Sequence, residues 1–111
     1  MVEGFWIVQY EGVRGNGGGV AVFMKGHVLG GDTGFIYTGT YEVSERQQLL
    51  AHIKVRNFLP EVPNVLGVQG DFELLLKGAV AGPVIKAAAS LVGQAAAGII
   101  VKLTRVSDLP A

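Results

Sequence analysis

Asp71 and Glu73, two positions apart, are the nearest approach in this 111-residue chain to a catalytic acid pair. On a strand they share one face, and a glycosidase pair needs two carboxyls about 5–10 Å apart across a bound sugar. The spacing supplies the distance, but nothing around it implies a cleft, and a solvated face is the plainer use. His27 and His52 are the only histidines, and a metal site would need both together with carboxylates. Asp32 lies near His27. However, Gly30-Gly31-Asp32-Thr33-Gly34 is also what a tight turn requires, because Asp bonds its own backbone. Gly15-Asn16-Gly17-Gly18-Gly19 superficially resembles a phosphate loop. Such a loop follows a strand and opens a helix. Here Val20 to Met24 reads as a strand and no Gly-Lys-Ser or Gly-Lys-Thr follows, so a hairpin turn is expected. Ser44, Ser90 and Ser107 lack a nucleophile-elbow context. There is no cysteine, which removes disulfides, thiol catalysis and thiolate zinc sites together. The residues predict a non-enzyme with no cofactor and no metal.

Aromatic side chains are the remaining candidates for chemistry. Trp6, Tyr10, Phe23, Phe35, Tyr37, Tyr41, Phe58 and Phe72 could line a ligand pocket, although core or interface is their commoner use.

The elements that would position these groups read as strands. Val, Ile, Phe, Tyr and Thr fill runs separated by glycine clusters, at Gly15–Gly19, Lys25-Gly26, Gly30–Gly34, Gly67–Gly70, Gly78–Gly82 and Gly93–Gly98, and by the polar turn Ser44–Gln48. Eight strands are predicted, at roughly 4–11, 18–25, 27–30, 35–43, 49–58, 69–77, 84–92 and 99–106. Alternation is clearest in the fifth: Leu49, Ala51, Ile53 and Val55 on one face, His52, Lys54 and Arg56 on the other. Trp6, Val8 and Tyr10 share a face in the first. Phe72, Leu74 and Leu76 oppose Asp71, Glu73 and Lys77 in the sixth. Leu59 to Gly67, with Pro60 and Pro63, predicts a packed loop or one short helical turn. A helix over Lys86–Ala97 is the alternative to the seventh strand, since alanine is the best helix former, but its apolar residues lack a clean 3.6 spacing. Short, evenly spaced strands without crossover helices argue for antiparallel hairpins, and eight of them fit an all-β, eight-stranded antiparallel up-and-down barrel or a curled sheet. Such a barrel is just wide enough to be filled by side chains or to hold one small ligand.

Composition sets the outer limits. One domain is expected at this length, burying roughly 65% of the surface of its unfolded chain. Half the residues are apolar and 16% are charged. Nine Lys and Arg balance nine Asp and Glu and form no run, which argues against direct nucleic-acid binding. From Ala79 to Val101 the only charge is Lys86, but Gly82, Pro83, Ser90, Gly93, Gln94 and Gly98 interrupt the apolar residues, so no membrane span is expected. The early Glu3 and the short apolar run after it do not fit a secretion signal, and a cytoplasmic protein is the expectation.

One set of residues points further. Gly4, Gly19, Lys25-Gly26, Gly30-Gly31-Asp32, Tyr37 and Gly39, followed by Pro63-x-Val65-Leu66-x-Val68-x-x-Asp71-Phe72-x-Leu74, recur in an order that resembles the GrlR family of negative regulators of type III secretion. The resemblance covers roughly Gly4 to Lys77 and is poor over Ala87–Ala97. It implies a calycin-like, non-enzymatic, dimeric barrel that binds a transcriptional activator and keeps it from its promoter. The family's best-described branch places a run of alternating acids after its fourth strand. The matching positions here are Glu42, Val43, Ser44, Glu45 and Arg46, with two acids only. The expected partner patch is therefore Glu42, Ser44, Glu45, Arg46 and Gln47, facing a helix-turn-helix activator. Two further readings stand beside it. One is a carrier of a small hydrophobic ligand in the barrel interior. The other is an assembly subunit whose alanine-rich last strands pack across a homodimer.

Overall fold

A computed structural model describes residues 2–12, 15–62, 70–93 and 99–110. Eight antiparallel strands follow one another in chain order: β1 (Gly4–Gly12), β2 (Gly15–Met24), β3 (His27–Gly31), β4 (Phe35–Val43), β5 (Gln48–Asn57), β6 (Phe72–Ala81), β7 (Val84–Leu91) and β8 (Ile99–Ser107). Each pairs with the next, and β8 returns to β1, from Phe5 opposite Ser107 to Glu11 opposite Ile100, closing an up-and-down barrel. No helix occurs among the described residues, and so none is long and apolar enough to cross a membrane.

Period two decides what faces inward. Leu49, Ala51, Ile53 and Val55 are buried, whereas His52, Lys54 and Arg56 are exposed, as the alternation in β5 predicts. The same rule buries Ile85, Ala87 and Ala89 in β7 and Ile99, Val101 and Leu103 in β8. The alanine-rich stretch is thus a strand from Val84 to Leu91. Its residues share two neighbours, β6 and β8, and their ladders satisfy its backbone groups. The continuation at 94–98 lies outside the described residues. No polar or charged side chain is fully buried among the described residues. The outer face is mixed: His52, Lys54 and Arg56 stand there, and so do exposed apolar residues such as Ile7, Leu29, Ile36 and Ile100.

The ring has two unlike ends. At one, where β1 begins and β2 finishes, the interior is plugged. Trp6 is 1% exposed and donates its indole N–H to the Val2 carbonyl at 2.9 Å. Its ring lies 6.0 Å from that of Phe23, which in turn lies 4.9 Å from Tyr41. Leu49 and Ile85 complete the plug. A register shift between β1 and β8 at Phe5/Trp6 skips Val106, so that the Arg105 guanidinium sits 5.6 Å from the Trp6 ring centre. The other end, where β1 finishes and β4 begins, is described below.

Two glycine clusters read as breaks are strand instead. Gly15 to Gly19 belong to β2, paired with Val8 to Gly12 of β1, so the hairpin turn expected over them is not there, and residues 13 and 14 lie outside the described residues. Gly78 lies within β6, opposite Ala87, and the turn comes later, at Gly82 with φ +60°. Glycine is used in these strands because neighbours come too close for a side chain. A Cβ on Gly17 would stand 2.5 Å from Cε1 of Tyr10. The loop predicted after β5 forms a turn in its described part, where the Val62 N–H donates to the Leu59 carbonyl at 3.0 Å. Val62 packs against the core, and residues 63–69 lie outside the described part.

Pairing also gathers charge that is dispersed in the chain. Lys86 of β7 stands directly opposite Lys102 of β8, on the outer face, and neither takes part in the two ion pairs found among the described residues. Directly opposed like charges destabilise a ladder. Lys102→Glu should therefore raise stability by about 0.2–1 kcal/mol, read as a higher urea midpoint at low salt, with the gain shrinking in 1 M salt. An unchanged or lower midpoint would contradict the pairing.

Candidate functional site

The inward residues are too small to fill the ring beyond the aromatic plug. Ala21, Ala51 and Gly17 are among the residues that line it, and a cavity of about 330 Å³ remains. That is the lower end of the range for small-molecule pockets and room for about eleven water-sized groups. Its walls are apolar: Val8, Phe23, Val28, Phe35, Ile53, Val55, Leu74, Leu76, Val101 and Leu103 among them. It reaches the surface beside Asn16 and Thr33, both exposed, at the end opposite the plug.

One polar cluster interrupts the apolar wall. Asp32 follows β3, and its Oδ1 accepts the backbone N–H groups of Gly34 at 3.1 Å and Phe35 at 3.0 Å, the side-chain turn expected from its sequence setting. Its other oxygen, Oδ2, accepts the hydroxyl of Tyr10 at 2.7 Å and that of Tyr37. Tyr10 comes from β1 and Tyr37 from β4, and both line the cavity with Asp32. The Tyr10 ring has room because Gly17, its partner across β1 and β2, has no Cβ. Burial first, then the hydrogen bond to Asp32, pushes the Tyr10 hydroxyl from 10 up to about 12. The same two causes push Tyr37 further up. Tyr41, in the plug, is raised by burial. Both cavity tyrosines therefore keep their protons at neutral pH and donate hydrogen bonds through them to Asp32.

The residues expected to act lie elsewhere. Glu42 ends near the outer face of β4, and Ser44, Glu45, Arg46 and Gln47 form the exposed β4–β5 connection. That loop is a built turn. Ser44 Oγ accepts the N–H groups of Arg46 and Gln48 at 3.2 Å, the Gln47 N–H donates to the Ser44 carbonyl at 3.0 Å, and Gln47 takes φ 60°. Antiparallel order puts it at the plugged end, away from the cavity mouth. Asp71 and Glu73 are engaged separately: Asp71 accepts the Asn57 N–H at 2.9 Å, and Glu73 faces His52 at 3.3 Å. His27 is exposed in β3, and no group of three metal-ligating side chains forms among the described residues. The aromatic set divides. Tyr10, Phe23, Phe35, Tyr37 and Phe72 line the cavity, Trp6 and Tyr41 plug the far end, and Phe58 is exposed.

Fold and cavity together define a small closed β-barrel with a hollow interior whose described lining is largely apolar and holds a carboxylate–tyrosine cluster. No family model matches the chain, and a search of curated proteins finds no match either. The likeness to the GrlR family stands on the residues quoted for it, of which Pro63 to Val68 lie outside the described part.

The tyrosine environment predicts an alkaline transition. A hydroxyl raised in the folded state stabilises the fold fully below its ordinary value of 10, and for Tyr10 that contribution disappears as pH rises from 10 to about 12. Tyrosinate absorbance should therefore lag well behind that of free tyrosine and appear together with alkaline unfolding. Asp32→Asn should bring part of it back toward pH 10. Normal titration of all three tyrosines in folded protein would refute the buried cluster.

Proposed function

We propose that this protein is a non-enzymatic binding barrel that holds one small, mainly apolar molecule in its lumen. The observation that carries this reading is the cavity of about 330 Å³, walled by apolar side chains and reaching solvent at one end. A core that merely stabilised the fold would be filled to crystal-like density, since unfilled apolar volume costs about 24 cal/mol per Å³. A ligand that covers the lining recovers that loss. The neutral apolar fluorophore N-phenyl-1-naphthylamine should brighten on binding the wild-type barrel. Ala51→Phe, which projects a ring into the lumen from a residue 1% exposed, should abolish the signal while circular dichroism stays unchanged. Val101→Phe serves the same purpose from the opposite wall should overpacking at position 51 disturb the fold. Retained brightening in both folded variants would place the dye outside the lumen and refute the reading.

A second reading, sequestration of a transcriptional activator by a cytoplasmic, dimeric regulator, is favoured by the β4–β5 loop. Its exposed side chains are presented on a turn held by four hydrogen bonds to or from Ser44, so little order remains to be gained on docking. The double substitution Glu42→Lys and Glu45→Lys should weaken capture of a helix-turn-helix activator from the host lysate at least tenfold and leave the melting temperature unchanged. Undiminished capture would clear the loop of that role.

A further inference from the structure

We infer that the lumen selects ligands by their head group, taking an apolar chain that ends in a hydrogen-bond donor, best a primary ammonium, and rejecting carboxylates. The inference rests on the lumen reading and adds to it the chemistry of the ligand's polar end.

The reasoning starts from the bonds that are already made. A carboxylate offers about four acceptor positions. Those of Asp32 are occupied by the N–H groups of Gly34 and Phe35 and by the hydroxyls of Tyr10 and Tyr37. Each tyrosine hydroxyl has one proton, both hydroxyls donate to Asp32, and the two hydroxyls also lie within reach of each other. What Tyr10 and Tyr37 can still offer a ligand is their oxygen lone pairs. The cluster thus presents acceptors to the cavity, backed by one negative charge. Among the described lining residues there is no Lys, Arg or His to offset that charge. The remaining polar side chains, Asn16 and Thr33, are neutral and stand exposed at the rim.

An ammonium fits this arrangement on two grounds. It brings three N–H donors and no acceptor, so it can bond both tyrosine oxygens. It also places a positive charge beside Asp32, where apolar walls weaken screening. A hydroxyl head satisfies the first ground only. A carboxylate head meets acceptors with acceptors, brings a like charge, and gives up its hydration without return. The fixed direction of the tyrosine protons is what turns a polar spot into a selective one. Without Asp32 each hydroxyl could rotate to donate to the ligand instead.

Decylamine, decanol and decanoate share one tail and differ only in the head, and their size suits a cavity of about 330 Å³. Calorimetric titration of the intact chain at pH 7 should rank them amine, alcohol, acid, with at least about tenfold between the first and the last, the effect of one charge-assisted hydrogen bond. Asp32→Asn should shrink the amine-to-alcohol ratio to near one. Tyr37→Phe, which keeps the carboxylate and the ring, should weaken the amine while circular dichroism is unchanged, and it covers the case in which the Asp32 variant fails to fold. Decanoate binding as tightly as decylamine to the wild type, or an amine preference untouched by either folded variant, would overturn the head-group inference and leave the lumen reading standing. Binding of none of the three while N-phenyl-1-naphthylamine still brightens would overturn the head-group inference alone, and no binding of ligand or dye would overturn both.

Discussion

Ring closure by β1 against β8 governs everything else in this molecule. Once eight strands are joined edge to edge, the interior diameter is set by strand number and tilt and not by the side chains inside it. The residues can only decide how much of that fixed space they occupy. At one end Trp6, Phe23, Tyr41, Leu49 and Ile85 occupy it fully. Beyond them, Gly17, Ala21 and Ala51 line a space that stays partly empty. An open sheet with the same inward faces would have collapsed onto itself and kept no cavity.

Asp32 shows how one residue can serve structure and recognition together. Its Oδ1 fixes the turn that delivers the chain from β3 to β4, and its Oδ2 draws Tyr10 and Tyr37 from strands on either side of β2 and β3. The turn holds the carboxylate still, and the carboxylate holds the tyrosine protons still. The β4–β5 loop repeats the local half of this pattern with Ser44, but it carries its exposed side chains away from the lumen. The barrel therefore has two separately built surfaces at opposite ends, and nothing in their bonding forces one to serve the other.

How far the sequence could be read depended on side chains. Where a strand has them, as in Leu49 to Arg56, alternation gives both the element and its inward face. The first, fifth and sixth strands were legible by that route and the others as β-rich runs between glycine breaks, while number and spacing fitted a closed barrel or a curled sheet equally. Where the strand is glycine, period two vanishes: Gly15 to Gly19 look like a turn because there is nothing to alternate, although β1 pairs along them. The acids Asp71 and Glu73 were legible as solvated, and the separate partners they take bear this out. Asp32 was half legible. Its bonds to Gly34 and Phe35 are local and predictable, whereas Tyr10 lies 22 residues away and comes near only through the strand pairing. The cavity was legible only as an alternative, because its existence turns on the summed volume of inward residues from every strand. The like-charged contact of Lys86 and Lys102 was invisible for the same reason, since it needs the register of β7 on β8.

The seam between the first and last strands has a consequence for how the protein is made. On the ribosome, β1 emerges first and can pair at once with β2, yet its other edge must wait until β8 has been synthesised. Until then the nascent chain is a curling sheet with a free edge and an unsealed apolar face, the state in which strands recruit neighbours from other chains. Trp6 waits with it, since Arg105 arrives on that same last strand. Completion of this barrel is therefore an event that follows translation of its final strand, and the interval before it is when the chain most needs protection.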